Sequence, residues 1–359
     1  MGVEVHATGD PVWDLFRHSR YCASFTRLGN GLDERLDWLE RWPHRAVLLP
    51  CDDNGLELVA RHRARLVELG HVPVEANDEV LLAMLDKHRT YELAAAVGVP
   101  APRTVTVRGE DDAERAVQEI GFPCALKPLH SHLFARVYGP HKKVWIVEDA
   151  PELRENLARM VALELEMLVT EILPGRDDQY VSYYSYLDER GEPLFHFTKR
   201  KLRQYPIRFG LACYQVTTLN REVMDLGLRF FQGIGLRGIG NVEFKRDPRD
   251  GRFKLIECNH RFTAANELVR LAGIDVARLA YSRLAGTPAP RVDSFREGIY
   301  MWHAAEDVRA LLDYRRSGEL TVGAWARSLL HRQHFPVLAR DDPRPAVLNY
   351  RRMLGRLLS

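Results

Sequence analysis

Two short segments, 241–245 and 255–261, constrain this chain more than any others. Each alternates apolar and polar residues, and the turn Arg246-Asp-Pro-Arg-Asp-Gly251 joins them, a pattern that predicts an antiparallel hairpin. Side chains two apart on a strand share a face, so Glu257 and Asn259 point the same way. A hairpin folded about Asp250 sets Glu243 directly opposite Glu257. Two carboxylates and an amide oxygen in one place repel and desolvate one another unless a cation sits among them. An all-oxygen set suits Mg²⁺, which is usually held by one or two carboxylates plus substrate phosphates. The hairpin therefore points to a nucleotide–magnesium site. The plain alternative is a solvated hairpin whose carboxylates face water.

At 359 residues the chain can hold two or three packed subdomains. A net charge of +2 gives no strong field for nucleic acid or a membrane surface. Only eight of the 51 basic residues are Lys, so each Lys is worth locating. The five Cys are scattered, without a C-x-x-C pair, and no secretory segment precedes the first structured stretch. Both features lead to the expectation of a cytoplasmic protein with reduced thiols. No apolar run approaches the ~20 residues of a membrane-spanning helix, so no membrane insertion is expected.

Strand-like and helix-like stretches alternate over residues 1–80, as in a doubly wound α/β unit. The usual opening of such a unit, a strand, a Gly-rich turn and a helix, is missing, as though its first strand were lacking. A helix is predicted over 80–97, closed by Gly98-Val-Pro100. Further strands are expected at 102–107, 122–128, 168–175, 180–187 and 194–198, with helices at 111–120, 151–160 and 221–231. Beyond Pro290 the pattern turns to short Arg-rich amphipathic helices at 307–317, 322–331 and 348–358.

Lys87, Lys127, Glu171 and the Glu243/Glu257/Asn259 set follow one another in an order that resembles the ATP-grasp superfamily. The resemblance covers about residues 80–290 and is greatest to its carboxylate–amine ligase, D-aspartate ligase-like branch. It rests on Asp86-Lys87, Gly98-Val-Pro-Ala-Pro102, Phe122-Pro with Lys127-Pro128, Glu171-Ile-Leu-Pro-Gly175, Arg200-Lys-Leu-Arg-Gln-Tyr-Pro206 and Glu257-Cys-Asn259. It implies an α/β (α+β grasp) fold with an N-terminal doubly wound domain at 1–80 and a grasp domain at 81–290. The grasp domain divides into an ATP-binding lid at 103–172 and a C-terminal part at 173–290. A helical extension follows at 291–359.

The resemblance further implies an ATP- and Mg²⁺-dependent ligase (Mn²⁺ being an alternative) that joins a small carboxylate to an amine, an amino acid or peptide, through an acyl-phosphate. Lys87 and Lys127 would contact phosphates. Glu171, with backbone groups near Ile172 and Leu173, would read adenine, and Asp177 or, preferably, Asp178 would hold the ribose. Glu243, Glu257 and Asn259 would hold the metal. Lys201, Arg203 and Arg261 would meet phosphate, acyl-phosphate or substrate carboxylate. Alternation on a strand puts Lys201 and Arg203 on one face and Arg200 on the other. The chain departs from the family in its phosphate loop, 129–139, which is Gly-poor; His130, Ser131, His132 and Arg136 carry no assigned role. Competing expectations are a carbamoyl-phosphate or carboxylase-type enzyme acting on bicarbonate, a non-catalytic ATP-binding regulator, and an RNA-binding module built on the basic stretch 198–208. No nucleic-acid partner is expected on balance; the C-terminal helices either cover the cleft or form the contact of a homodimer, and the sequence leaves both open.

Overall fold

The structure, a computed structural model, describes residues 2–9, 11–129 and 144–358. His130, Ser131, His132 and Arg136 lie outside the described residues. In the N-terminal unit, strands β1 (Val5–Gly9) and β2 (Cys22–Arg27) form one parallel pair, and β3 (Val47–Leu48) and β4 (Val72–Pro73) another. Sequence alternation anticipates β1, β3, β4 and the helix Asp53–Glu68 but not β2 or the helix Leu32–Glu40. A 3₁₀ helix, Pro11–His18, follows β1, where doubly wound units ordinarily carry a Gly-rich turn and an α-helix.

The single helix expected over 80–97 is two, Asp78–Leu85 and Lys87–Ala96. Asp86 between them is extended (φ −103°, ψ 116°), and its carboxylate accepts the backbone N–H groups of His88 and Arg89 at 2.8 and 3.1 Å. One residue thus ends a helix and caps the next, which sets Lys87 at the first helical position. Gly98, at φ +69°, closes the second helix, and Val99 N–H donates to the Ala94 carbonyl.

The lid is an antiparallel sheet of β5 (Thr104–Val107), β6 (Cys124–Pro128), β7 (Trp145–Val147) and β8 (Met167–Glu171), in the order β5-β8-β6-β7. Helices Glu110–Ile120 and Ala150–Val161 contribute Ala116, Leu153 and Leu157 to a core with Val105, Leu126 and Val169.

The body is a seven-stranded sheet in the order β13-β12-β9-β10-β11-β14-β15. Its strands are β9 (Tyr180–Leu187), β10 (Phe197–Tyr205), β11 (Leu211–Thr217), β12 (Gly238–Arg246), β13 (Phe253–Asn259), β14 (Tyr300–Trp302) and β15 (Gln333–His334). Helix Arg221–Gly233 covers one face, packing Phe230 and Phe231 on Tyr183 and Val242. On the other face, helices Asn266–Leu271 and Val276–Leu284 cover only the end carrying Tyr184, Tyr186 and Phe197. The rest of that face carries the polar residues described below.

Two expectations need correction here. The strand expected at 194–198 begins later and runs further, as β10 reaches Tyr205 between β9 and β11 and takes in most of the basic stretch 198–208. The region 291–359 contains the expected helices, Ala304–Arg316, Val322–Ser328 and Arg344–Leu358, but β14 and β15 also extend the sheet. These strands have three and two residues, too few for period-two alternation to register.

An ion pair locks this C-terminal segment to the sheet. Arg203 donates through Nε and Nη2 to both Asp307 oxygens at 2.6 and 2.8 Å, and through Nη1 to Ser328 Oγ at 2.8 Å. Trp302 and Trp325 add indole N–H bonds to Asp307 Oδ2 at 2.9 and 2.8 Å. Asp307 is fully buried and Arg203 only 6% exposed. Asp307→Ala would leave the Arg203 charge buried and unpaired, so it should lower unfolding free energy by about 3–5 kcal/mol. Arg203→Met combined with Asp307→Leu should recover much of that loss. Urea unfolding measures both.

Candidate active site

The hairpin forms in the expected register. Glu243 pairs with Glu257 and Asn241 with Asn259, but Phe244 pairs with Leu255, so Ile256 is an extra residue on β13. Such a bulge frees a carbonyl from the ladder and re-aims neighbouring side chains. Tyr91, in helix Lys87–Ala96, donates its hydroxyl to the Ile256 carbonyl at 2.8 Å. The helix that begins with Lys87 is thereby fastened one residue from Glu257.

A polar row crosses four strands from Glu257 through Glu243 and Ser182 to Lys199. Glu243 Oε1 accepts from Lys201 Nζ at 3.0 Å and Oε2 from Ser182 Oγ at 3.4 Å. The Lys201 ammonium also donates to Gln204 Oε1 at 3.0 Å and sits 4.4 Å from the centre of the Tyr180 ring. Lys199 donates to Gln215 Oε1 at 2.7 Å and is buried. Burial pushes its ammonium down to about 8, Glu243 working against the shift and Lys201 with it. Lys127, partly buried on β6 of the lid, is also pushed down to about 8, by burial and then by Lys87, while Glu257 opposes. Lys127, Lys87 and Glu257 therefore share one electrostatic environment.

Arg261 does not point into this row alone: its Nε donates to Asp53 at 2.5 Å, at the start of helix Asp53–Glu68, while Glu257 still feels its charge. Arg203 is not brought to the carboxylates, because Asp307 fills its guanidinium fork. Glu171 closes a hinge cluster. It accepts the Arg103 backbone N–H at 3.0 Å and Arg249 Nη2 at 2.9 Å, with Lys254 at 3.5 Å. Burial alone would raise its carboxyl, but Arg103 N–H, Arg249 and Lys254 hold it below the usual range. Beyond Glu171 lies Ile172, and the carbonyls of Leu173 and Gly175 accept from Lys245 Nζ at 2.8 and 3.0 Å. Of the two acids past the turn, Asp177 is buried and bonded to Gln204, Arg208 and Tyr314, whereas Asp178 opens to solvent.

Sequence reasoning missed Lys199, Ser182, Gln204 and Tyr91. The alternation that pairs Lys201 with Arg203 also places Lys199 on the same face. The other three carry no signal without the strand register. Among the described residues no three His, Cys, Asp or Glu converge as a metal-holding group. Glu243 and Glu257 are paired across the hairpin and Asn259 is two residues from Glu257 on the same strand; oxygen donors of this kind suit a hard divalent cation completed by phosphate oxygens and water. A six-coordinate protein cage for the ion alone is not built.

No family model matches the chain. D-aspartate ligase of Enterococcus faecium is 28% identical over 240 residues, 65% of this chain and 57% of that one. D-alanine–D-alanine ligase of Chromohalobacter salexigens is 27% identical over 210 residues, 54% of this chain and 60% of that one. The chain thus spans less than two thirds of the length of either curated relative. Among solved structures, the biotin carboxylase domain of Hydrogenobacter thermophilus 2-oxoglutarate carboxylase, a dimer complexed with MgADP, ADP and bicarbonate, matches with a TM-score of 0.64 at 18% identity, covering 83% of this chain and 68% of that one. The ADP complex of the PurK N5-carboxyaminoimidazole ribonucleotide synthetase matches with a TM-score of 0.62 at 13% identity, covering 81% and 73%. The chain thus has an ATP-grasp fold, and the curated relatives it resembles in sequence are ligases.

Proposed function

We propose that the protein is an ATP-dependent carboxylate–amine ligase. The observation that carries this is the Glu257–Glu243–Ser182–Lys199 row, with Lys201 on Glu243 and with Lys127 in the field of both Glu257 and Lys87. Two neighbouring carboxylates and the ammoniums of Lys199 and Lys201 share one sheet face, an arrangement suited to a polyanion and a dication bound together. Glu243, Glu257 and Asn259 would hold Mg²⁺, which supplies charge neutralisation at the triphosphate. Lys87, Lys127 and Lys201 bind and orient phosphates. Glu171 fixes the hinge at which Ile172 and Leu173 would meet adenine, and the half-buried Asp178, bonded to Gln179 at 3.3 Å, is the more accessible acid for the ribose.

A substrate carboxylate oxygen attacks the γ-phosphorus while the bond to the β,γ-bridging oxygen breaks, giving an acyl-phosphate and ADP. The amine nitrogen then attacks the acyl carbon, phosphate leaves with the C–O electron pair, and the amine proton passes to solvent. Arg261 lies beyond Asn259, where it can steady the charge on the acyl-phosphate once Asp53 releases it. The substrates are a small carboxylate and an amine, with an amino acid or peptide favoured by the ligase relatives. We place the reaction in the cytoplasm; none of the five thiols is in a disulfide, and no described helix is long and apolar enough to cross a membrane. A homodimer remains an expectation that sedimentation decides.

Three outcomes are expected. First, Mg²⁺-ADP at about 100 times its dissociation constant should add ~2.7 kcal/mol of stability to the wild type. Glu257→Gln should lose most of that gain in thermal unfolding, and an unchanged gain would remove Glu257 from the site.

Second, nucleotide affinity should fall as pH rises through about 8, where Lys127 and Lys199 lose their protons in the free protein. Binding above that pH should take up protons in calorimetry, and Lys127→Met should reduce the uptake. The folded values lie below the ordinary 10.5. The unfolded chain therefore binds more protons between about 8 and 10.5, and these two groups make the ligand-free fold more stable as pH rises there.

Third, ADP release should require a carboxylate, and hydroxylamine in place of the amine should yield a hydroxamate. ADP formation from bicarbonate alone would favour the carboxylase reading.

A further inference from the structure

A closed hydrogen-bond network joins the C-terminal segment to the carboxylate pair. Tyr314, in helix Ala304–Arg316, donates its hydroxyl to Asp177 Oδ2 and accepts the Gln204 backbone N–H at 3.2 Å. Asp177 Oδ2 also accepts the Arg208 backbone N–H at 2.9 Å, and its Oδ1 accepts from Gln204 Nε2 at 2.7 Å. An ionised carboxylate only accepts, so Nε2 must face Asp177. The Gln204 carbonyl oxygen is thereby turned toward Lys201 Nζ, 3.0 Å away. Lys201 in turn meets Glu243. Asp177, Gln204, Lys201 and Tyr314 are all 5% exposed or less, so water cannot replace a lost partner.

We propose that Gln204, Asp177 and Tyr314 are positioning residues of the nucleotide–metal site, acting through Lys201. The inference rests on the reading of Glu243 as a metal ligand. Gln204 and Glu243 share the Lys201 ammonium. When a cation takes the Glu243 oxygen, the ammonium keeps Gln204 as an acceptor and stays beside the phosphates. Without Gln204 it is drawn onto Glu243 alone and competes with the cation for that carboxylate. Tyr314 acts one link further back, by holding Asp177 and the Gln204 backbone. The C-terminal segment is then part of the site, although among its described residues no side chain bonds to Glu243 or Glu257.

The test is a set of Mg²⁺-ADP dissociation constants by calorimetry for wild type, Gln204→Leu and Tyr314→Phe, each repeated in a Lys201→Met background. Gln204→Leu should weaken binding about fivefold to tenfold, and Tyr314→Phe by less, as expected for one buried hydrogen bond. In the Lys201→Met background neither change should weaken binding further, because the group they position is gone. Equal losses in both backgrounds, or unchanged affinity with only a lower melting temperature, would show a purely structural network and overturn the proposal. Should Gln204→Leu fail to fold, Tyr314→Phe, which keeps the ring and its packing, carries the same comparison. If wild type binds no Mg²⁺-ADP, the metal-site reading falls and takes this inference with it. If wild type binds and only the Lys201 coupling is absent, this inference fails alone.

Discussion

The ion pair between Lys201 and Glu243 is the interaction on which the rest of the site depends. Glu243 and Glu257 are cross-strand partners, and like charges directly opposite one another destabilise a sheet. Lys201 neutralises one of the two from within the sheet, and Lys127 lies in the field of the other from the lid. The opposing charges come from different parts of the chain, so the balance depends on how lid and body meet. Removing Lys201 would leave Glu243 without its ion pair, and removing Glu243 would leave the buried Lys201 ammonium in the same position.

The hairpin that carries the carboxylates also fixes the lid. At its turn, Asp247 accepts from Arg249 and Lys254, and these same cations reach Glu171 at the end of β8. The Arg249 and Lys254 bonds hold the fully buried Asp247 well below the usual carboxylate range, against the pull of burial. One end of the hairpin therefore sets the hinge and the other presents Glu257 and Asn259. β6, which carries Lys127, pairs with β8 along its whole length. Two paired strands thus connect the hinge to Lys127, the lysine in the field of Glu257.

How much of this the chain shows before folding depends on the range of each interaction. The Glu243–Glu257 register was legible because a short turn joins its strands and period-two alternation fixes the face. The bulge at Ile256 was not, since nothing local marks it; the carbonyl it frees is claimed by Tyr91, 165 residues earlier. Lys201 and Arg203 were read as equivalent because they share a face, yet their fates differ. Arg203 meets Asp307, 104 residues away, and Lys201 meets Glu243. Asp177 and Asp178 could not be separated by spacing, and Gln204 and Tyr314 separate them by burying the first. The helix break at Asp86 is a local signal that was overlooked: an Asp that caps a following turn also interrupts the preceding one.

The choice of cation at each position follows the same physics. This chain strongly prefers Arg, yet Lys87, Lys127, Lys199, Lys201, Lys245 and Lys254, six of its eight lysines, lie in the site or the hinge. A guanidinium brings five donors in a rigid fork and cannot shed its charge. Arg203 shows what burying one takes: both oxygens of a buried carboxylate and a serine hydroxyl, with Tyr214 4.4 Å away under its plane. Such an Arg has its fork closed by the Asp307 carboxylate and cannot offer it to a substrate carboxylate. An ammonium needs fewer acceptors. Lys199 rests on one glutamine oxygen and the Tyr184 ring, and Lys201 on two oxygens and the Tyr180 ring. These residues keep donor capacity in reserve at the positions where a polyanion would arrive, and the burial that lowers Lys127 and Lys199 toward 8 is relieved when that anion comes.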